Sequence, residues 1–160
     1  MALERGVVYL AVVLDLYSRR VRGFALSRSL GDELSLEALD LALAGGRPVI
    51  HHSDRGVQYC SKDYVGRLAE EGVMISMARV GCPQDNAQVE RWMRTLKEEE
   101  VYLSEYRDFA DAYASIGHFI EAVYNHKRIH SALGYLTPVE YEAAYWATVN
   151  QTREQVPVPA

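Results

Sequence analysis

"VVYLAVVLDLYSRRVRGFALS", residues 7–27, holds two apolar runs on either side of one polar turn. The first run, residues 7–16, is nearly unbroken β-branched and aliphatic sequence, the pattern of a buried strand. "YSRR" supplies the turn, and residues 21–27 return as a second strand, expected to run antiparallel to the first. A helix is expected over "GDELSLEALDLALAGG", residues 31–46. Asp32 can cap its start, Leu34, Leu36, Leu39, Leu41 and Leu43 offer apolar contacts, and Gly45-Gly46 stops it. "PVI" is a short strand. Ser61 can cap a helix over "KDYVGRLAEEG", and "VMISM", residues 73–77, is another strand. Helices are expected over residues 87–103 and 109–124, with a short one after Pro138. A hairpin, then helix, strand, helix, strand and helices, predicts an α/β fold in which helices flank a mixed sheet. Residues 1–148 form the expected domain. Residues 149–160 have little to bury and are expected to be a disordered tail.

A length of 160 residues suits one domain with a real core, and 49% hydrophobic with 24% charged residues describes an ordinary globular chain. The net charge of −5 argues against coating nucleic acid by bulk charge, while leaving room for local basic patches. No apolar run reaches the ~18 residues of a membrane span, and no signal-peptide pattern opens the chain. A cytoplasmic protein without a membrane partner is expected. Cys60 and Cys82 lack metal-like spacing and read as small buried side chains in a reducing compartment.

Chemistry enters with "HHSDRGVQY", residues 51–59, where Asp54 sits just past a strand and Arg55-Gly56 can turn the chain behind it. On the helix expected at 87–103, Val89, Trp92, Met93, Leu96 and Leu103 gather into a stripe that is most simply core. Glu90, Arg94 and Lys97 fall at its edge, spaced i, i+4, i+7. One account of them is an ion pair, Glu90 with Arg94, on a solvated face. The other is phosphoryl transfer, which often uses two divalent ions ~3.5–4 Å apart held by a few carboxylates. Magnesium keeps several waters, so two or three Asp or Glu side chains suffice. Arg94 and Lys97 would then meet phosphates approaching the metal. His51 and His52 are adjacent on a strand, point to opposite faces and so read as structural rather than as a zinc pair.

Three segments, "HHSDRGVQYCS", "CPQDNAQVERWMRTLKEEEVY" and "YNHKRIHSALGYLTPVEY", closely resemble the catalytic core of bacterial insertion-sequence transposases. That family belongs to the DDE superfamily with the retroviral integrases, on an RNase H-like fold. Asp54 and Glu90 are 36 positions apart (90 − 54), matching the last two acidic residues of the family's D,D(35)E signature. "YLAVVLDLYSRRVRGFALS" is similar to the family's second and third strands. The resemblance covers about residues 7–142 and implies that Asp54 and Glu90 are catalytic metal ligands for Mg²⁺ or Mn²⁺. It also implies DNA as partner, both transposon ends and target, with Arg94, Lys97, Arg128 and His130 in contact with it. Asn86 would shape the loop before the catalytic helix. Tyr124, Asn125, Arg128, His130 and Ser131 carry the family's C-terminal signature, with a helix-ending turn packed on the core as the competing account. A homodimer or higher oligomer is expected.

One departure bears on activity. The family's first aspartate lies on a strand preceding a segment like "LERGVVYL", and that strand is expected to be missing here. Asp15 is the only acidic residue in the first strand pair; its place beside the "DLYSR" turn suits an acceptor of turn hydrogen bonds better than a substitute ligand. The unpaired edge left on residues 7–16 is expected to be covered by a symmetry mate, a second subunit or a rearranged N-terminus. The expected function is DDE transposition, with metal-dependent phosphodiester hydrolysis followed by strand transfer, impaired or inactive in this chain. The alternatives are a noncatalytic remnant that binds DNA or full-length transposase as a regulator, and, less favoured, a nuclease acting on RNA–DNA hybrids.

Overall fold

The structure is a computed structural model that describes residues 2–3 and 6–154, with side chains over 7–152 except that of Pro83. A two-strand ribbon opens the chain, β1 (Ala2–Leu3) antiparallel to β2 (Gly6–Val7). The anticipated hairpin follows as β3 (Tyr9–Leu14) and β4 (Val21–Ser27), antiparallel, with Tyr9 opposite Ser27 and a register shift between Val13 and Leu14. Its turn is closed by the Asp15 amide donating to the Arg20 carbonyl at 2.8 Å, with Arg19 at φ 62°. Among the described residues the opening ribbon pairs with itself and not with β3, so the rearranged N-terminal cover expected for that strand is not seen there.

Helix α1 (Asp32–Ala44) packs across the hairpin. Gly23 allows this approach: a Cβ there would lie 2.2 Å from the Ala38 carbonyl oxygen and 2.6 Å from the Ala42 nitrogen. Asp32 is not the cap. Gly31 holds that position in extended conformation with no side-chain bond, and Asp32 joins Glu33 in the first turn, where the helix dipole favours acidic charge. Gly45 and Gly46 end the helix as expected, Gly46 at φ 129°. Leu34 and Leu39 are buried, whereas Leu41 is exposed.

β5 (Ile50–Ser53) pairs in parallel with β6 (Met74–Met77), and α2 (Lys62–Glu70) makes the crossover between them. The Ser61 hydroxyl caps α2 by accepting from the Tyr64 amide. α3 (Ala87–Leu96) then buries Trp92 and Leu96 in the main core with Ile116, Phe119, Ile120 and Tyr124. The stripe expected to reach Leu103 breaks. α3 passes into a wider turn over Lys97–Val101, closed by the Tyr102 amide bonding the Lys97 carbonyl. One widened i→i+5 turn rotates everything beyond it, and Leu103 is left 77% exposed.

α4 (Phe109–His118) likewise ends in a widened turn, Phe119–Asn125. The last helix, α5 (Pro138–Glu154), is longer than the short one expected and runs into the segment read as disordered. Thr137 and Glu140 form a reciprocal cap at its start: the Thr137 amide donates to the Glu140 carboxylate at 2.9 Å, and the Glu140 amide to the Thr137 hydroxyl at 3.3 Å. Glu142 pairs with Arg20 and Arg22, and Tyr141 and Tyr145 pack on Tyr17, which fastens α5 to the hairpin turn. Residues 155–160 of the expected tail lie outside the described residues. No described helix is long and apolar enough to cross a membrane. Cys60 and Cys82 are free thiols, but not the buried side chains expected: Cys60 is exposed and Cys82 half-buried.

Candidate active site

A cleft of about 1380 Å³ opens between the β3–β4 hairpin and the β5–β6 pair. Asp54 reaches it from the end of β5 and Glu90 from the first turn of α3. The chain turns away after Asp54 because one carboxylate oxygen accepts the Gly56 amide at 2.7 Å, while Arg55 donates to the Ala78 carbonyl at 3.0 Å. That local bond fixes the Asp54 carboxylate, and no hydrogen bond among the described residues engages its other oxygen. Glu90 is exposed, and no ion pair joins it to Arg94 among the described residues, so the i, i+4 pairing does not form. Arg94 and Lys97 line the same cleft without an ion-pair partner among the described residues, and Asn86 stands at its rim, N-terminal to α3, with no side-chain cap bond.

Four further carboxylates line the cleft: Glu142 is paired with Arg20 and Arg22, Glu98 has no hydrogen bond or ion pair among the described residues, and Asp15 and Asp85 are engaged locally. Asp15 accepts from the Tyr17 amide at 2.8 Å and from the Ser18 hydroxyl at 3.0 Å, the turn role anticipated for it. Asp85, which the spacing did not single out, accepts from the Arg79 backbone amide and from its guanidinium at 2.9–3.1 Å. Those bonds pull the Asp85 carboxyl down to about 2. Its only sequence signal was its place in "CPQDN". Among the described residues no group of three or more His, Cys, Asp or Glu is placed to hold a metal. Asp54 and Glu90 are therefore two oxygen donors without a third beside them, a set that suits a hard cation completed by water and phosphate.

His51 and His52 diverge as expected: the first shares a hydrogen bond with the Tyr64 hydroxyl at 3.0 Å, the second with the Ser76 hydroxyl at 2.9 Å. Burial, followed by the neighbouring His52, pushes the His51 imidazole below its usual range.

The C-terminal signature residues stand apart from the cleft. Asn125 is buried and clamps β4: its Oδ1 accepts from the Val21 amide at 3.0 Å and its Nδ2 donates to the Val21 carbonyl at 3.1 Å. Tyr124 lies edge-on between Trp92 and His130. Arg128 pairs with Glu99. The His130 Nε2 is buried with no hydrogen-bond partner among the described residues, and burial, then Arg128 and Arg19, lowers its pKa. Ser131 opens a single 3₁₀ turn that ends at Gly134, φ 67°.

The chain matches the Integrase core domain family, by one description over residues 1–83 and by a second over 71–138. It is 37% identical over 142 residues to the transposase for insertion sequence element IS904 of Lactococcus lactis subsp. lactis (strain IL1403), covering 87% of this chain and 56% of the relative. It is 39% identical over 142 residues to the transposase InsF for insertion sequence IS3A of Escherichia coli (strain K12), covering 87% and 49%. The chain thus spans about half the length of the curated relatives it matches. In fold it is similar to the HTLV-2 integrase catalytic core domain, solved in complex with magnesium in trimeric form. The TM-score is 0.69 at 15% identity, over 88% of each chain. It is similar too to a chain of the simian T-cell lymphotropic virus intasome, TM-score 0.63 at 18% identity, covering 80% of this chain and 46% of that one. The RNase H-like α/β fold is that of these integrase cores.

Proposed function

The chain belongs to the integrase core domain family shared with insertion-sequence transposases, and on that premise we propose that it is the catalytic core of a DDE transposase. Asp54 and Glu90 hold a Mg²⁺ or Mn²⁺ ion, and Arg94 and Lys97 steer the DNA backbone toward it. One observation supports this above the others: the two carboxylates, from a strand end and a helix start, open into one cleft with Arg94 on that helix and Lys97 in the turn that continues it. When bound, the divalent ion polarises a phosphodiester and lowers the pKa of the attacking water. Asp54, held by the Gly56 amide, presents its other oxygen in fixed orientation, and Glu90 supplies the second donor without first breaking an ion pair. Arg94 and Lys97 offset the repulsion that two carboxylates exert on a phosphate. The reaction is hydrolysis at the transposon end, then attack of the freed 3′-OH on a target phosphodiester, whose own 3′-oxygen leaves and takes up a proton, within a dimer or larger assembly.

Glu98 also lines the cleft, but among the described residues no third acidic side chain groups with Asp54 and Glu90, so the site as described holds one ion better than two. That shortage favours a second reading, a binding remnant that regulates full-length transposase. Nicking of supercoiled plasmid in Mn²⁺ separates them. Weak nicking abolished by Asp54→Asn and by Glu90→Gln supports the catalytic reading. Nicking that survives both substitutions refutes the site, and no nicking together with co-purification of a full-length transposase supports the regulator.

A further inference from the structure

Lys97 stands at the C-terminal cap of α3. Helices ordinarily fray there, because their last carbonyls have no partner within the helix. This helix does not end in that way. The chain runs on through the widened turn, and the Tyr102 amide returns to the Lys97 carbonyl at 2.8 Å. Such turns are rare and occur mostly as single turns at functional sites.

Two side chains of the turn are gripped from outside it. One carboxylate oxygen of Glu100 accepts three hydroxyls, from Ser104 at 3.2 Å, Tyr106 at 3.1 Å and Ser115 of α4 at 2.6 Å. Burial, then Glu100, pushes the Tyr106 hydroxyl above its usual range, so it stays a donor. Glu99 is paired with Arg128 of the C-terminal signature. Neither Glu99 nor Glu100 lines the cleft, whereas Lys97 is exposed and does.

We propose that Glu100, and Glu99 through Arg128, are positioning residues for DNA: they hold the widened turn closed, so that Lys97 meets the phosphate backbone from an ordered helix end. The inference rests on the reading of Lys97 as a DNA contact. A half-exposed ion pair such as Glu99–Arg128 contributes little by itself. Glu100 contributes more, because bonds to a charged acceptor are the stronger kind and its donors come from three separate places in the chain. Ordering Lys97 before DNA arrives removes part of the cost of immobilising it on binding. Arg128 then acts through Glu99 and not on DNA. Charge alone predicts the opposite sign for Glu100: removing a carboxylate near a phosphate-binding cation should tighten DNA binding.

The test is binding of the full chain to a labelled duplex, followed by anisotropy as salt is varied, with Lys97→Gln as the reference for loss of that contact. Glu100→Ala is expected to weaken binding by roughly three- to tenfold and to lower the slope of log affinity against log salt by up to ~1, toward that of Lys97→Gln. Exchange of the Tyr102 amide should quicken by at least about tenfold. Glu100→Gln, which keeps an acceptor, should retain most of the affinity and slope. Ser115→Ala leaves every charge in place, should change binding in the same direction by less, and decides alone where Glu100→Ala does not fold. In the Lys97→Gln background, Glu100→Ala and Arg128→Ala should take nothing further from the slope. The proposal is overturned if Glu100→Ala binds as tightly as the parent or tighter, if its loss adds in full to that of Lys97→Gln, or if Arg128→Ala lowers the slope further in that background. An unchanged slope in Lys97→Gln refutes the DNA reading of Lys97 and this inference with it. A lowered slope there, with none in Glu100→Ala, refutes this inference alone.

Discussion

Asn125→Ala separates a structural from a DNA-contacting role at the C-terminal signature. Asn125 is 5% exposed, and its side-chain amide satisfies both backbone groups of Val21. Truncation leaves the Val21 N–H and C=O without partners beside a buried side chain. An unsatisfied buried group costs ~1–3 kcal/mol, so two of them cost about 2–6 kcal/mol, with the lower half applying where water enters the vacated space. A loss of about 3 kcal/mol lowers the melting temperature of a chain this size by ~6–12 °C. Urea unfolding followed by far-UV circular dichroism should show a lower midpoint with an unchanged slope. Asn125→Asp keeps the acceptor for the Val21 amide but sets a carboxylate against the Val21 carbonyl, and should be at least as unstable as the alanine variant. A midpoint for Asn125→Ala within ~0.5 kcal/mol of the parent, with DNA binding reduced, would refute this reasoning.

Gly23→Ala should cost at least ~1–3 kcal/mol, because the new methyl meets the backbone of α1 rather than a movable side chain; the urea midpoint reads it. The Asp85–Arg79 bonds give a pH signature. Asp85 is held at about 2, below its ordinary 3.8, so its contribution is fully present above 3.8 and is lost as pH falls through about 2. The stability difference between the parent and Asp85→Asn should therefore vanish as pH drops through that window, and a difference that persists at the acid end contradicts the assignment. Lys97→Gln should weaken binding to DNA of any sequence and reduce the slope of log affinity against log salt by ~1, measured by anisotropy on a labelled duplex.

Much of the fold was legible because the residues that decide it act locally. The run at 7–16 with its "YSRR" turn formed the antiparallel hairpin, Ser61 capped α2, and Gly45-Gly46 ended α1. What the sequence hid depends on partners far along the chain. The i→i+5 turn at Lys97–Val101 leaves Leu103 outside a stripe that 100° spacing placed inside it. The extension of α5 depends on Glu142 meeting Arg20 and Arg22 across 120 or more residues. Asp54 and Glu90 could be nominated from spacing and resemblance, and the fold opens both into one cleft. The pairing of Asp85 with Arg79 could not be nominated that way: two residues six apart in a loop have no fixed geometry until the loop folds.

Whether Asp54 and Glu90 share one metal is tested most directly by Mn²⁺ titration of the ¹⁵N-labelled chain. Paramagnetic broadening should appear first and together at residues 54–56 and at Glu90 and its helix neighbours, and the Asp54→Asn, Glu90→Gln double variant should lose it. Broadening at only one of the two segments, or broadening that persists in the double variant, would contradict the shared site.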